Sequence, residues 1–232
     1  MEKPPSIENR WDLLYRDYPE VYEAFSETPY QPTVYEALSK IFNIQDKVIL
    51  DVGAGTGRST LALARYARRV IGIEHEPAML RLALKKIKYG AAQQVEFLSG
   101  DALALPLADA SVNLVTGITL ALYPPEQYRV FITEGLRVAK EHVLYVGIPP
   151  GWYGGDLAHI IDDKDEGATI IERIFLDEYH FAYQDIFSIQ DYGSVDHIVA
   201  TYGFIFGRKV IDYLRKENIT SIRWKFRAYY NP

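Results

Sequence analysis

The chain has 232 residues, 48% of them hydrophobic and 24% charged, and a formal net charge of -6. That length suits one sizeable core, and an acid excess with dispersed Lys and Arg argues against nucleic acid or an anionic membrane as the main partner. Cysteine is absent, which excludes disulfides, thiolate metal sites and cysteine nucleophiles.

The opening Met1-Glu2-Lys3-Pro4-Pro5 lacks the apolar core of a signal peptide, and no apolar run reaches the roughly 18 residues that span a bilayer. The expectation is a cytoplasmic protein. Residues 1–44 read as an N-terminal helical cap, rich in aromatics such as Trp11, Tyr15, Tyr18, Tyr22, Phe25, Tyr30 and Tyr35.

Over 45–150, short β-branched runs alternate with longer helical stretches, the pattern of parallel strands joined by crossover helices. Strands are predicted at 47–52, 70–74, 95–98, 112–116 and 142–148. Helices are predicted at 58–67, at 77–89 with a stop at Gly90, and from Pro125 to about Ala139, with both prolines in first-turn positions. The strands are nearly continuous apolar runs, so helices should cover both faces of the sheet.

After Ile148, the turn-rich Pro149–Gly155 and the acidic Asp162–Glu166 open a lid-like insertion over 151–180. The remainder, 181–232, reads as closing strands and a helix. It has an extended run 181–192, a helix capped by Ser194 and running to about Glu217, and an alternating run 219–230. In that last run Ile222, Trp224, Phe226 and Ala228 share one face, with Arg223, Lys225 and Arg227 on the other. The two late strands are expected to form an antiparallel closing pair at one sheet edge, within a single α/β domain.

Chemistry concentrates where the first strand, Val48 to Val52, runs into Gly53-Ala54-Gly55-Thr56-Gly57. Such a loop brings backbone and a helix N-terminus close to a ligand with no side chains in the way, which suits a nucleoside cofactor. A dinucleotide loop wants G-x-G-x-x-G, and here Arg58 stands at the third glycine.

The stretch Asp51–Gly57, together with Glu74 ending the second strand, Gly100-Asp101-Ala102 after the third and Leu105–Val115 leading into the fourth, resembles the class I S-adenosylmethionine-dependent methyltransferases. The resemblance covers roughly 35–150. It implies a Rossmann-like, seven-stranded, mostly parallel sheet with helices on both faces, and S-adenosylmethionine as cofactor. It also implies that Asp51, Gly53, Ala54, Gly55 and Thr56 form the loop under the cofactor and that Glu74 accepts from the ribose hydroxyls. Asp101 would then accept from the adenine amino group and Ala102 N–H meet the ring edge, with Thr116, Gly117 and Ile118 beside the methionine and adenine. His75, adjoining Glu74, is a further candidate for the cofactor pocket.

Methyl transfer from a sulfonium relies on alignment more than on a catalytic side chain, so no triad is expected. His159 and Tyr123 are the candidates for a base, and Tyr15, Tyr30, Tyr123, Trp152 and Tyr153 for an aromatic wall around the substrate. The five histidines lack zinc-ligand spacing, and the fourth strand ends in Thr116-Gly117-Ile118-Thr119 without a metal-binding acid or an Asn/Asp-Pro-Pro-aromatic element. The expected acceptor is therefore a small molecule, with no metal and no nucleic acid; acceptor atom and oligomeric state stay open. Three rivals share much of this pattern: a nicotinamide-dependent oxidoreductase, a non-catalytic S-adenosylmethionine-binding protein and an aminopropyl transferase. Arg58 and Asp101 tell against the first, and the uncharged 116–122 stretch against the last.

Overall fold

A computed structural model describes residues 10–27, 32–89, 94–161 and 166–232. Its centre is one seven-stranded sheet of β1 (Val48–Val52), β2 (Arg69–Glu74), β3 (Val95–Ser99), β4 (Val112–Ile118), β5 (Ala139–Gly147), β6 (Ala182–Asp191) and β7 (Ser221–Tyr230). The spatial order is β3-β2-β1-β4-β5-β7-β6. The first five pair in parallel, while β7 runs antiparallel to both β5 and β6. The mostly parallel sheet and its antiparallel closing pair follow the sequence pattern.

Strand order reverses at β1, because β2 and β3 extend to one side of it and β4 and β5 to the other. Crevices at the C-terminal ends of strands beside such a reversal are where open α/β sheets bind ligands. Gly53 and the loop that follows sit at that point.

Helices cover both faces, as the doubly buried strands require. After α1 (Arg10–Asp17), one face packs α2 (Pro19–Glu27), α3 (Pro32–Phe42), α4 (Arg58–Leu63) and α5 (Pro77–Tyr89) onto Ile49, Val70, Leu114 and Val146. The other packs α6 (Tyr128–Val138) onto Leu50, Val52, Ile71 and Val115. Ile49 and Leu50 are both fully buried yet belong to opposite layers, because successive strand residues point to opposite faces. Each such side chain contributes about 1.5 to 3 kcal/mol of hydrophobic burial.

Proline opens α2, α3 and α5, where its missing N–H costs nothing. The turn Pro125–Gln127 leads into α6 in the same way. Gly90, the expected stop of α5, lies outside the described residues, as do residues 162–165 of the acidic loop.

Two regions depart from the sequence reading. The helix expected from Ser194 to Glu217 is broken into α8 (Val195–Ile198), a wider turn Val199–Gly203, α9 (Phe204–Phe206) and α10 (Arg208–Lys216). Ser194 does cap it, accepting from His197 N at 3.2 Å, but Gly207 at φ 91° and ψ -177° redirects the chain before α10. Gly207 can take that geometry because it has no Cβ. In β7, Ile222, Trp224, Phe226 and Ala228 are buried as the alternation predicts. Tyr229 is buried as well, because Phe175 from the 151–180 segment and Tyr145 of β5 stack on it from the opposite face at 5.1 and 6.0 Å.

The 151–180 segment contains a short turn Gly155–Leu157, α7 (Glu166–Arg173) and a single π-helical turn Ile174–Glu178. Its first part lies against β7: a Cβ added to Gly155 would meet Ile222 Cγ2 at 2.5 Å and the Arg223 carbonyl oxygen at 2.7 Å. Among the described residues no helix is long and apolar enough to cross a membrane.

Candidate active site

The loop after β1 is shaped by three glycines with left-handed backbone, Gly53 at φ 71°, Gly55 at 58° and Gly57 at 84°. A Cβ on Gly53 would stand 2.5 Å from Leu120 Cδ1, and one on Gly57 would stand 2.5 Å from Phe97 Cζ. Conformation and space both demand glycine at these two positions.

The loop is held from beneath. Gly53 N and Ala54 N both donate to the Ile73 carbonyl at 2.9 Å, and Gly55 N donates to Glu74 Oε2 at 2.8 Å. Asp51, fully buried, accepts from Ser59 Oγ at 2.6 Å, Thr60 Oγ1 at 2.7 Å and Thr116 Oγ1 at 3.1 Å. Burial pushes the Asp51 carboxyl above its ordinary range, and the three hydroxyls and their hydrogen bonds work against that shift. Asp51 thus ties β1, α4 and β4 together behind the loop.

Above the loop lies a cavity of about 330 Å³, within the span of small-molecule sites. One wall is Gly53, Gly55, Ile73, Glu74 and His75, continuing through Gly100, Asp101, Ala102 and Leu103. Glu74 Oε1 accepts from Glu76 N at 2.7 Å and lies 3.4 Å from His75 Nδ1, while Oε2 accepts from Gly55 N and keeps a lone pair for a ligand hydroxyl. The hydrogen bond that His75 donates to Glu74, helped by the carboxylate's charge, raises the His75 pKa against a partial desolvation. Asp101 is exposed, and its Oδ1 accepts from Leu103 N at 2.8 Å.

The rest of the lining is Tyr15, Tyr22, Leu120, Ala121, Leu122 and Tyr123, with Thr119, Met79 and Gln127, and Tyr22 stands 3.9 Å from the place a Cβ on Gly55 would take. The backbone at 120–122 is anchored by Tyr128, whose hydroxyl donates to the Leu120 carbonyl at 2.5 Å and accepts from Leu122 N at 3.4 Å. Burial pushes the Tyr128 phenol up to about 12, and it drives the Tyr15 phenol well above its ordinary value, with Tyr22 and Glu74 adding to the shift. Both hydroxyls are neutral at physiological pH.

Of the residues singled out from sequence, Gly53, Gly55, Glu74, His75, Asp101, Ala102, Tyr15 and Tyr123 face this cavity. Ala54, Thr56, Gly117 and Ile118 are buried behind its wall, and Thr56 Oγ1 accepts from Lys86 Nζ at 3.4 Å. Trp152 packs edge-on against Phe187 of β6 at 5.8 Å, Tyr153 against Phe206 of α9 at 5.5 Å, and His159 against Tyr213 of α10 at 6.3 Å. These three lie outside the cavity lining, and Tyr30 lies outside the described residues. No group of three His, Asp or Glu that could hold a metal occurs among the described residues.

Sequence reasoning named Tyr22 only among the aromatics of the N-terminal cap, and did not reach Met79, Leu103, Gln127 or the turn at 119–122. Thr119 takes a left-handed φ of 52° and donates to the Val146 carbonyl at 2.7 Å, a conformation that no residue pattern announces. Met79 does have a signal: it sits in the first turn of the helix that follows Glu74.

Arg58, which separates this loop from a dinucleotide loop, has its own role. Its guanidinium donates to the Ser26 carbonyl of α2, and Lys86 of α5 pairs with Glu23 of the same helix. Tyr22, next to Glu23 on this helix, thereby reaches the loop, 3.9 Å from the place a Cβ on Gly55 would take.

Residues 49–142 match a family described as "Methyltransferase domain". Demethylmenaquinone methyltransferase of Bacillus velezensis is 30% identical over 142 residues, 60% of each chain. Arsenite methyltransferase of Halobacterium salinarum is 34% identical over 107 residues, 42% of this chain and 27% of that one. The match thus spans 60% or less of the length of these two curated relatives. The crystal structure of an S-adenosylmethionine-dependent methyltransferase from Aquifex aeolicus shares the fold, with a TM-score of 0.54 at 18% identity over 72% of this chain and 89% of its own. Strand order, glycine loop and the acids at the ends of β2 and β3 agree with these likenesses: residues 49–142 resemble a methyltransferase domain, on the fold that S-adenosylmethionine-dependent methyltransferases share.

Proposed function

We propose that the protein moves a methyl group from S-adenosylmethionine to a small-molecule acceptor. The observation that carries this reading is the placement of Glu74, Asp101 and the bare backbone of Gly53 and Gly55 around one cavity at the point where strand order reverses.

The residues fit the cofactor. Glu74 offers a fixed carboxylate to the ribose hydroxyls, Asp101 an exposed acceptor to the adenine amino group, and Ala102 N–H a donor to the ring edge. Gly53 and Gly55 admit the methionine portion where any Cβ would intrude. The bound cofactor supplies an electrophilic methyl: the acceptor's lone pair forms the new bond, the S–C pair returns to sulfur, and any acceptor proton passes to water. The chain's part is to hold cofactor and acceptor in line and keep bulk water out, which can supply much of the rate.

Two curated relatives act on demethylmenaquinone and on arsenite, by their names, and both are small molecules. That and the net charge of -6 support a small acceptor over nucleic acid, and the absence of cysteine supports a cytoplasmic setting.

Calorimetry with S-adenosylhomocysteine tests the reading. One-site binding, with no heat from NAD, is the expected result; binding of NAD and not of S-adenosylhomocysteine overturns it.

A further inference from the structure

The cavity has two chemically different sides. Glu74, His75 and Asp101 stand at the ends of β2 and β3, while Leu120, Leu122 and Tyr123 follow β4 and Tyr22, with Tyr15 against it, stands over the glycine loop after β1. If adenosine is held by Glu74 and Asp101, the methionine end and the transferred methyl must point across β1 toward the tyrosines. That is the side where an acceptor has to approach.

Tyr15 and Tyr22 meet edge to face, with centroids 5.1 Å apart and planes at 90°, and so form a corner that presents one ring face and one ring edge. Aromatic ligands favour such a corner, because offset and edge-on ring contacts contribute beyond their buried area. Tyr123 is 61% exposed at the rim and is positioned by the Tyr128-anchored turn. Charge narrows the choice further. Two carboxylates share this cavity, and among the described residues its lining contains no Lys or Arg, so an anionic acceptor would meet repulsion that partial burial strengthens.

We propose that the acceptor is an uncharged, planar aromatic molecule seated against Tyr15, Tyr22 and Tyr123. This rests on the methyltransferase reading, since it uses the cofactor's orientation. Neutral Tyr15 contributes its ring to the seat and takes no proton. An acceptor hydroxyl therefore loses its proton to solvent as its oxygen takes the methyl.

The test uses the full chain saturated with S-adenosylhomocysteine, titrated in a calorimeter with 2-naphthol and with 2-naphthoate, a matched neutral and anionic pair. The naphthol should bind roughly tenfold tighter or better, a difference of about 1.4 kcal/mol. Tyr123→Ala should weaken naphthol at least about fivefold and leave S-adenosylhomocysteine affinity unchanged, the ring contact being worth about a kcal/mol. Tyr15→Phe, which keeps the ring, should leave naphthol affinity within about twofold by the same argument. Equal or tighter binding of naphthoate, no binding of either compound, or indifference of naphthol to Tyr123→Ala overturns the proposal. Failure to bind S-adenosylhomocysteine would instead sink the methyltransferase reading.

Discussion

The two ends of the sheet are built on opposite plans. Around β3-β2-β1-β4, small residues and buried polar groups shape an empty space: Gly53 and Gly57 leave room for Leu120 and Phe97, and Asp51 gathers three hydroxyls beneath the loop. Around β5-β7-β6, large aromatics fill the layers. Trp224 stacks near Phe226 at 6.1 Å and faces Phe25 at 6.5 Å, while Tyr145, Phe175 and Tyr229 pile up on the other side. One half is shaped for a ligand and the other for cohesion, so stability and cofactor affinity should respond to different substitutions.

The largest effect should come from Trp224→Ala. It empties a nearly fully buried site and removes the indole donor from Gln190 Oε1, whose amide in turn holds the Phe25 carbonyl at 2.8 Å. A loss of about 3 to 5 kcal/mol is expected in urea unfolding, with S-adenosylhomocysteine affinity of the folded fraction intact. A parallel fall in affinity would show that the two halves are not separable.

Gly57→Ala should come next, costing about 2 to 4 kcal/mol through left-handed strain and the clash with Phe97. Unlike Trp224→Ala it should also weaken S-adenosylhomocysteine, because the loop must shift. Retained affinity would mean that the ligand does not sit over this turn.

Asp101→Ala sharpens the comparison from the ligand side. The carboxylate is exposed and bonds only Leu103 N among the described contacts, so cofactor binding should weaken by about 1 to 3 kcal/mol while the melting temperature barely moves. Glu74→Ala should weaken binding to a similar degree and destabilise the fold as well, since Glu74 also holds Gly55 N and Glu76 N. Unchanged affinity in both variants would remove the ribose and adenine assignments.

The smallest effect tests the closing pair alone. Asp185 of β6 bonds Arg227 of β7 at 2.6 and 3.0 Å, and chiefly that contact holds its carboxyl below the ordinary range, with Lys225 assisting. A carboxyl with a depressed folded-state pKa stabilises above its unfolded pKa, and the contribution is lost as pH falls through the folded value. Asp185→Asn should therefore cost about 1 to 2 kcal/mol near pH 7, with variant and parent converging in acid. A constant gap down to pH 2 would show that charge is not what matters there.

Much of the cofactor half was legible because its signals are local. Continuous apolar runs marked β1 to β5, and the glycine spacing with Glu74 and Asp101 located the strand ends, since a parallel α/β sheet leaves those ends on one edge. The acceptor side was not legible in the same way. Tyr15 and Tyr22 come from helices some 30 to 40 residues before the loop, and Leu120–Tyr123 reach the cavity only because Thr119 turns the chain left-handed. Trp152, Tyr153 and His159 look equivalent to those tyrosines along the chain. They lie instead against Phe187, Phe206 and Tyr213, the surface that β6, α9 and α10 provide.

By itself, the sequence determined the parallel core, its closing pair and a loop for a nucleoside-type ligand, because strand patterning, backbone freedom at glycine and acids at strand ends act over a few residues; the kind of cofactor came from the resemblance those residues carry. Tertiary structure alone decided which aromatics line the cavity, that Asp51 serves the loop from behind, and that Arg58 and Lys86 fasten α2 over it. Those choices depend on which surfaces meet when distant segments pack, and packing is not periodic along the chain.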